Sequence, residues 1–394
     1  MRKLMVFAVL SIALLLLAGC LAVSKPKEGT QGPLQDVVSE PTPNVPSPSA
    51  ANLDLAVSLA SYRILGTGDY ASPYLRPTGD VAVYRQDDRR FLIYDLAASK
   101  ETEVLLTYDY DADYSVKGRR AYVTSTPSNT VLYTASNSRN GMPVGDMFLV
   151  GTDGSRLTRV KASEVLSPLI SSYPGAADAQ FSSLSMGFNG NRGAYLASVR
   201  DAAGNALDSV IGVTDRSIYK LLTMPNQFAA EGAPVISANG ERIMFKNGAS
   251  QLYSSDFDGL QVAQISSSAG AFAASGDGKL AFFYKASDNA EGGPGLYSAN
   301  ADGTGAKMLV SSGQIGDISG IAASGDGTEV LFAGTEKGRN APEIYHQGAN
   351  GVLTRITDLN GPSLGELSAS ADLKNILYIT TSTDGTDTLY YAER

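Results

Sequence analysis

The chain is poor in the side chains that most often carry chemistry. Of 394 residues, one is Cys, one is His and none is Trp. A lone His, His346, rules out a metal site built from several imidazoles. It also leaves a Ser-His-Asp relay only one place to form, and no Gly-x-Ser-x-Gly elbow accompanies it. A single Cys excludes any internal disulfide. Charge is sparse as well: 18% of residues are charged, and 40 acidic against 31 basic residues give a formal net charge of −9. An acidic chain repels phosphate backbones, which argues against nucleic acid as a partner. Past the first twenty residues no stretch sustains the 3.6-residue periodicity of a helix.

The amino terminus is the exception in hydropathy. Arg2-Lys3 precede an unbroken apolar run from Leu4 to Leu17, followed by Ala18-Gly19-Cys20. The run is short for a membrane span and has the layout of an export signal. Leu17-Ala18-Gly19-Cys20 resembles the bacterial lipobox, which implies acylation of Cys20 and removal of residues 1–19. Losing Arg2 and Lys3 takes the formal charge from −9 to −11. Residues 20–52 are rich in Pro, Ser, Thr and Gly, with Pro41, Pro43, Pro46 and Pro48 close together. Extended at about 3.1 Å per residue, such a tether reaches roughly 90 Å from its anchor. Leu21, after the Cys, lacks the Asp that the resemblance associates with inner-membrane retention. The expected address is the outer membrane, on its periplasmic or surface side, or the outer face of the plasma membrane.

From residue 53 to 394 a phrase repeats. Its plainest copy runs Ser237-Ala238-Asn239-Gly240, Ile243-Met244-Phe245, Leu252-Tyr253, Asp258-Gly259 and Val262 to Ile265. The first aromatic of each copy falls at Tyr84, Tyr133, Tyr195, Phe245, Phe282, Phe332 and Tyr378, at steps of 37 to 62 residues. Each copy holds four short runs rich in Val, Ile, Leu, Tyr and Phe, divided by Gly, Asp, Asn and Ser, which is the pattern of strands and turns. Four strands per unit, repeated at this period, describe one blade of a β-propeller. The expectation is an all-β, seven-bladed propeller, with six blades as the alternative. The last unit, Ile376-Leu377-Tyr378 and Leu389-Tyr390, stops at Arg394 without its fourth run. Tyr62 to Thr67 reads like that missing run, so an N-terminal strand is expected to close the last blade and remove an open edge.

These units resemble the TolB-type, WD-like propeller repeat, which runs Ser-Pro-Asp-Gly, apolar-x-aromatic, Ile-Tyr, Asp-Gly, Leu-Thr. Ser275-Gly276-Asp277-Gly278 with Leu296-Tyr297 and Asp302-Gly303 is a good copy, and Ser324-Gly325-Asp326-Gly327 with Ile344-Tyr345 is another. Pro77 to Asp80, Pro127 to Asn129 and Phe188 to Asn191 are worn copies of the first turn. The Trp that precedes this turn in the family is absent. TolB itself carries an α/β domain ahead of the propeller, and residues 21–60 could not form one. The resemblance therefore implies the fold and leaves the role open.

Function must then be sought between the repeats. In a four-stranded meander the first-to-second and third-to-fourth turns share one side, and these are tight here. The other connections read as long and irregular: Tyr108 to Lys117, Ser136 to Gly145, Lys161 to Ser182, Lys285 to Gly295 and Gly334 to Pro342. Loops gathered on one side of a rigid scaffold are where binding concentrates. Tyr108-Asp109-Tyr110-Asp111-Ala112-Asp113-Tyr114 is the most distinctive of them. Asp109, Asp111 and Asp113 have the 1, 3, 5 spacing that opens calcium loops, but no Gly stands at position 6 and Arg120 occupies position 12 in place of Glu. Its tyrosines suit a protein or glycan contact. Asp256-Phe257-Asp258-Gly259 reads as a turn. No cofactor is implied. The expectation is a monomeric, lipid-anchored extracytoplasmic scaffold for envelope proteins or cell-wall polymers. A glycan-active hydrolase or lyase using rim carboxylates is the alternative.

Overall fold

The computed structural model describes residues 61–394, except 89, 105–113, 116–119, 124–129, 140–141, 154, 156–157, 189, 216–218, 222–229, 287–291, 360 and 362. Among these residues the strands form six four-stranded antiparallel sheets and one irregular sheet of five strands. The first sheet is Tyr70–Leu75, Val81–Gln86, Arg90–Asp95 and Lys100–Val104, each strand beside its sequence neighbour. The third to sixth sheets repeat this meander over residues 176–221, 230–266, 272–311 and 315–355. The second sheet departs from it: Tyr114–Ser115 and Ala121–Val123 both pair with Thr130–Arg139, so its inner edge is split in two.

The last sheet is built from both ends of the described chain. Ser363–Ala369, Asn375–Thr381 and Asp387–Glu393 supply three strands, and Ser61–Gly68 supplies the fourth. The register runs Ser61 against Glu393, Ile64 against Tyr390 and Gly68 against Asp387. The expected closing strand is therefore present, pairing where the sequence placed it.

The core lies between sheets. One buried cluster joins Val83, Phe91 and Ile93 of the first sheet to Val123, Tyr133 and Phe148 of the second. Clusters of the same kind join each sheet to the next, and the last sheet packs through Leu377, Ile379, Leu389 and Tyr391 onto Tyr84 and Leu92 of the first. First strands of neighbouring sheets touch one another, which places them innermost.

The repeated aromatics explain how a sheet of short strands holds its register. Phe245 lies opposite Tyr253, Phe332 opposite Tyr345 and Tyr378 opposite Tyr390, and each pair stacks with ring centroids 5.0 to 5.9 Å apart. Such pairs add about 0.5–1.5 kcal/mol beyond the area they bury. In the fifth sheet the stacked partner of Tyr297 is Phe283, one residue beyond the Phe282 that marks the repeat in the sequence. Phe282 points instead to the sixth sheet, whose cluster it joins.

The Ser-x-Asp/Asn-Gly turns are equally specific. In each of four copies the Ser hydroxyl donates to the Asx carboxyl or amide oxygen two residues on and accepts the N–H five residues on: Ser237, Ser275, Ser324 and Ser370 all do this. The turns also bond to one another. Phe188 N–H donates to Ala238 O, Asn239 to Gly276 O, Asp277 to Gly325 O, Gly325 to Ala371 O and Ala371 to Pro77 O, at 2.7 to 3.0 Å. A Cβ on Gly276 would meet the Gly325 Cα at 2.8 Å, so the second residue of this turn is small because another turn lies on it.

Candidate functional site

Tyr108, Asp109, Tyr110, Asp111 and Asp113 of the distinctive loop lie outside the described residues, as do Cys20 and the segments 1–19 and 20–52. Tyr114, at the end of the loop, pairs with Asn137, and the neighbouring Ser115 hydroxyl donates to Asp88 O of the first sheet at 3.2 Å. The Asp256 to Gly259 phrase is a turn, as expected: the Asp256 carboxylate accepts the N–H groups of Leu260 and Gln261 at 2.7 and 3.2 Å.

Two of the expected irregular loops are more ordered than the sequence suggested. Ser136 to Gly145 belongs mostly to two ten-residue strands, Thr130–Arg139 and Met142–Gly151, paired in continuous register. Lys161 to Ser182 contains two short helices, Ala162–Val165 and Ser167–Ser172, and the start of strand Ala176–Met186. These helices are too short to show a period. They are held by Leu166 and Leu169 in the core, by Pro in the first turn of the second, and by Asp146. Asp146 is 1% exposed; it accepts the Ala162 N–H at 2.9 Å and pairs with Arg159. That arrangement fastens the connection between the second and third sheets down onto their shared core.

The polar constellation that the sequence did not reveal lies on the inner strands. Arg120, immediately before Ala121–Val123, donates to the Glu366 carboxylate of the last sheet at 2.6 Å. The second Glu366 oxygen accepts the Ser72 N–H of the first sheet at 3.0 Å. Ser72 is a buried non-Gly residue with φ 54°, a left-handed backbone where the strand breaks register. Beside it the Leu75 N–H donates to the Ser368 hydroxyl at 2.9 Å. Tyr122 bonds through its hydroxyl to Ser185 and Arg120, and Ser185 in turn accepts the Ile236 N–H at 3.0 Å. The inner strands of five sheets are thus laced together by side chains. Burial pushes the Tyr122 hydroxyl up from its ordinary value, so it stays protonated.

Arg120 and Glu366 are nevertheless within reach of solvent. Of the Arg120 side chain 51% is accessible, as is 35% of that of Glu366. An ion pair this exposed contributes at most about 1 kcal/mol, so it can be exchanged at little cost. A charged residue in the first run of a unit was the available signal: Glu366 interrupts Leu364 to Leu367, and Arg120 abuts Ala121 to Val123.

Catalytic arrangements are not found among the described residues. His346 bonds through Nε2 to Glu329 at 2.8 Å, and Arg394 donates to the same carboxylate oxygen at 3.2 Å. Burial lowers the His346 value despite Glu329, so the ring is neutral at pH 7 and its Nε2–H donates. Among the described residues no hydroxyl or thiol hydrogen-bonds to it. Glu343, fully buried, accepts from the Thr357 hydroxyl at 2.6 Å and the Leu359 N–H at 2.9 Å, and Arg339 pairs with both Glu343 and Glu336 at 3.5 Å. These carboxylates pin a connection in place. Among the described residues no three His, Cys, Asp or Glu side chains converge as a metal would require, and no helix is long and apolar enough to cross a membrane.

No family model and no curated protein matches this sequence. Solved structures do match the fold. The β-propeller domain of Cps50 (Swd1) from Myceliophteria thermophila superposes with a TM-score of 0.52 at 12% identity, over 84% of this chain and 99% of that one. An oligogalacturonate lyase from Vibrio parahaemolyticus superposes at 0.55 and 10% identity, over 84% and 91% of the two chains. The fold is a β-propeller. TolB from Acinetobacter baumannii is 17% identical over 79% of this chain and 78% of its own, with a TM-score of 0.39. At these identities the likeness of the propeller to the first two is one of architecture.

Proposed function

We propose that the chain is a lipid-anchored extracytoplasmic binding scaffold, a seven-bladed propeller that presents the rim of its longer connections to an envelope protein or cell-wall polymer. One observation carries this reading. The polar side chains of the repeated Ser-x-Asp/Asn-Gly turns are consumed in holding those turns and their sheets together, so that rim offers little to a ligand. The opposite rim carries the connections that share no pattern. The reading of seven blades rests on counting the irregular sheet of residues 114–160, with its split inner edge, alongside the six regular four-stranded sheets. Anchoring rests on the Leu17 to Cys20 sequence.

Two measurements test the reading. Cys20→Ser should move the protein from the membrane to the soluble fraction; membrane retention of that variant contradicts the anchor. Tyr110→Ala with Asp111→Ala should abolish capture of the partner, scored by cross-links mapped to both chains, while leaving thermal unfolding unchanged. Sustained turnover of a wall polysaccharide by the purified chain would replace the scaffold reading with an enzymatic one.

A further inference from the structure

We propose that Asn350 is a site of spontaneous covalent modification, where the side-chain amide is lost to water as ammonia and an acidic residue is left in a turn already shaped for one. The site lies between the last two strands of the sixth sheet, and it stands or falls apart from the scaffold reading.

Three observations carry it. First, the turn is one of a set. The Gly348 N–H donates to Val352 O and the Gly351 N–H to Gly348 O, and the turns Asn300 to Thr304 and Ser382 to Thr386 close in the same way. In those two the third residue is Asp, whose carboxylate accepts the N–H two residues on, from Thr304 at 2.9 Å and from Thr386 at 3.0 Å. Asn350 Oδ1 accepts the Val352 N–H in the same way, at 3.0 Å. An aspartate formed at this position keeps that bond. Second, the residue that follows is Gly351, with φ 78° and nothing within 4 Å of the place where a Cβ would stand. Its nitrogen is unobstructed by a side chain, and water has room to enter. Third, this amide is the least tied of those in comparable steps. Of six Asn-Gly steps in the sequence, those at Asn140, Asn189 and Asn360 lie outside the described residues. Asn247 is 7% exposed, its Oδ1 accepts two N–H groups, and its Nδ2 donates to Gln251 at 2.7 Å. The Asn239 Nδ2 donates to Asp277 O at 2.9 Å and its N–H donates to Gly276 O, so opening that turn breaks bonds between sheets. Residues 349–352 are exposed, and among the described residues Asn350 Nδ2 has no hydrogen-bond partner. Opening this turn breaks the bond from Gly351 N–H to Gly348 O and uncovers no core residue.

The chemistry balances without a further reagent. The Gly351 nitrogen gives up its proton and attacks Asn350 Cγ; the N–Cγ bond forms, the Cγ–Nδ2 bond breaks, and Nδ2 leaves with the proton as ammonia. Water then opens the five-membered imide. Attack at Cγ breaks the new N–Cγ bond and yields aspartate, while attack at the main-chain carbonyl yields isoaspartate, with one more methylene in the backbone.

Peptide mapping of the full-length chain, incubated folded at mildly alkaline pH and in parallel in urea, tests the assignment. In the folded chain Asn350 should convert about tenfold faster than Asn239 and Asn247, giving aspartate and isoaspartate, because only its turn opens locally. In urea the three should convert at similar rates. Asn350→Asp should unfold at the same temperature as the unaltered chain. Conversion of Asn239 or Asn247 as fast as Asn350 in the folded chain overturns the proposal, as does an intact Asn350 amide when the urea sample has converted. A lower unfolding temperature for Asn350→Asp overturns the claim that the turn accepts the product.

Discussion

The two rims of the ring use their polar atoms differently. On the rim of the Ser-x-Asp/Asn-Gly turns, Ser275, Asp277, Ser324 and Asp326 spend hydroxyls and carboxylates on their own turns, and the turn backbones bond from sheet to sheet. On the other rim the described connections differ from one another: Asp146 holds a helix start, Arg339 sits among Glu336, Glu343 and Asp358, and neither arrangement recurs among the described residues. Repetition here marks bonds between sheets, and irregularity marks where the chain is free to vary. Residues that a family pattern makes conspicuous are therefore the ones least available to a ligand.

That comparison can be broken in several places. The largest effect should come from removing residues 61–68. The strand Asp387–Glu393 would keep Asn375–Thr381 on one side and lose Ser61–Gly68 on the other, uncovering Tyr391 and a free edge, so cooperative thermal unfolding should vanish and light scattering should show association. Phe332→Ala removes a fully buried ring stacked on Tyr345 and should cost about 3–5 kcal/mol in denaturant unfolding. Ser324→Ala should cost about 1–2 kcal/mol, since the Glu329 N–H loses its acceptor. On the opposite rim, alanine at Lys337, which is exposed, should change stability by less than about 0.5 kcal/mol. A cost at Lys337 comparable with that at Ser324 would erase the distinction between the rims.

The smallest effects are in pH. Asp326 is held below its ordinary 3.8 by the Thr328 N–H and then by the Ser324 hydroxyl, and Asp384 below 3.8 by the Ser382 hydroxyl and then the Thr386 N–H. Depressed carboxylates stabilise above their unfolded value, so this contribution is complete above about pH 4 and lost as pH falls further. Burial lowers His346 from 6.5, and a depressed His likewise stabilises above its unfolded value. The melting temperature should therefore begin to fall below about pH 6.5, before the carboxylates titrate. His346→Gln should flatten that first part of the profile and leave the second unchanged.

Much of the fold was legible because turn and strand chemistry is local. Ser-x-Asp-Gly and an aromatic opposite an aromatic announce themselves in sequence, and the incomplete last unit pointed to Tyr62 to Thr67 as its missing strand. What the sequence leaves open has the opposite cause. Phe282 and Phe283 differ by one position and face opposite sides of the strand, and spacing alone does not say which ring stacks on Tyr297. Ser136 to Gly145 looked like a loop because Gly, Asn and Ser dominate it, yet pairing across Thr130–Arg139 and Met142–Gly151 makes it strand. The pair of Arg120 and Glu366 lies 246 residues apart in sequence and meets only because the ring closes. No local pattern encodes such a contact.

Cross-linking mass spectrometry of the full-length chain in cells that express it, with the contacts of the proposed partner mapped residue by residue, tests the division of labour between the rims most directly. Contacts should fall on the connections around residues 105–119, 161–175, 337–342 and 356–362. Contacts confined to the turns at 77–80, 237–241, 275–279 and 324–328 would contradict it.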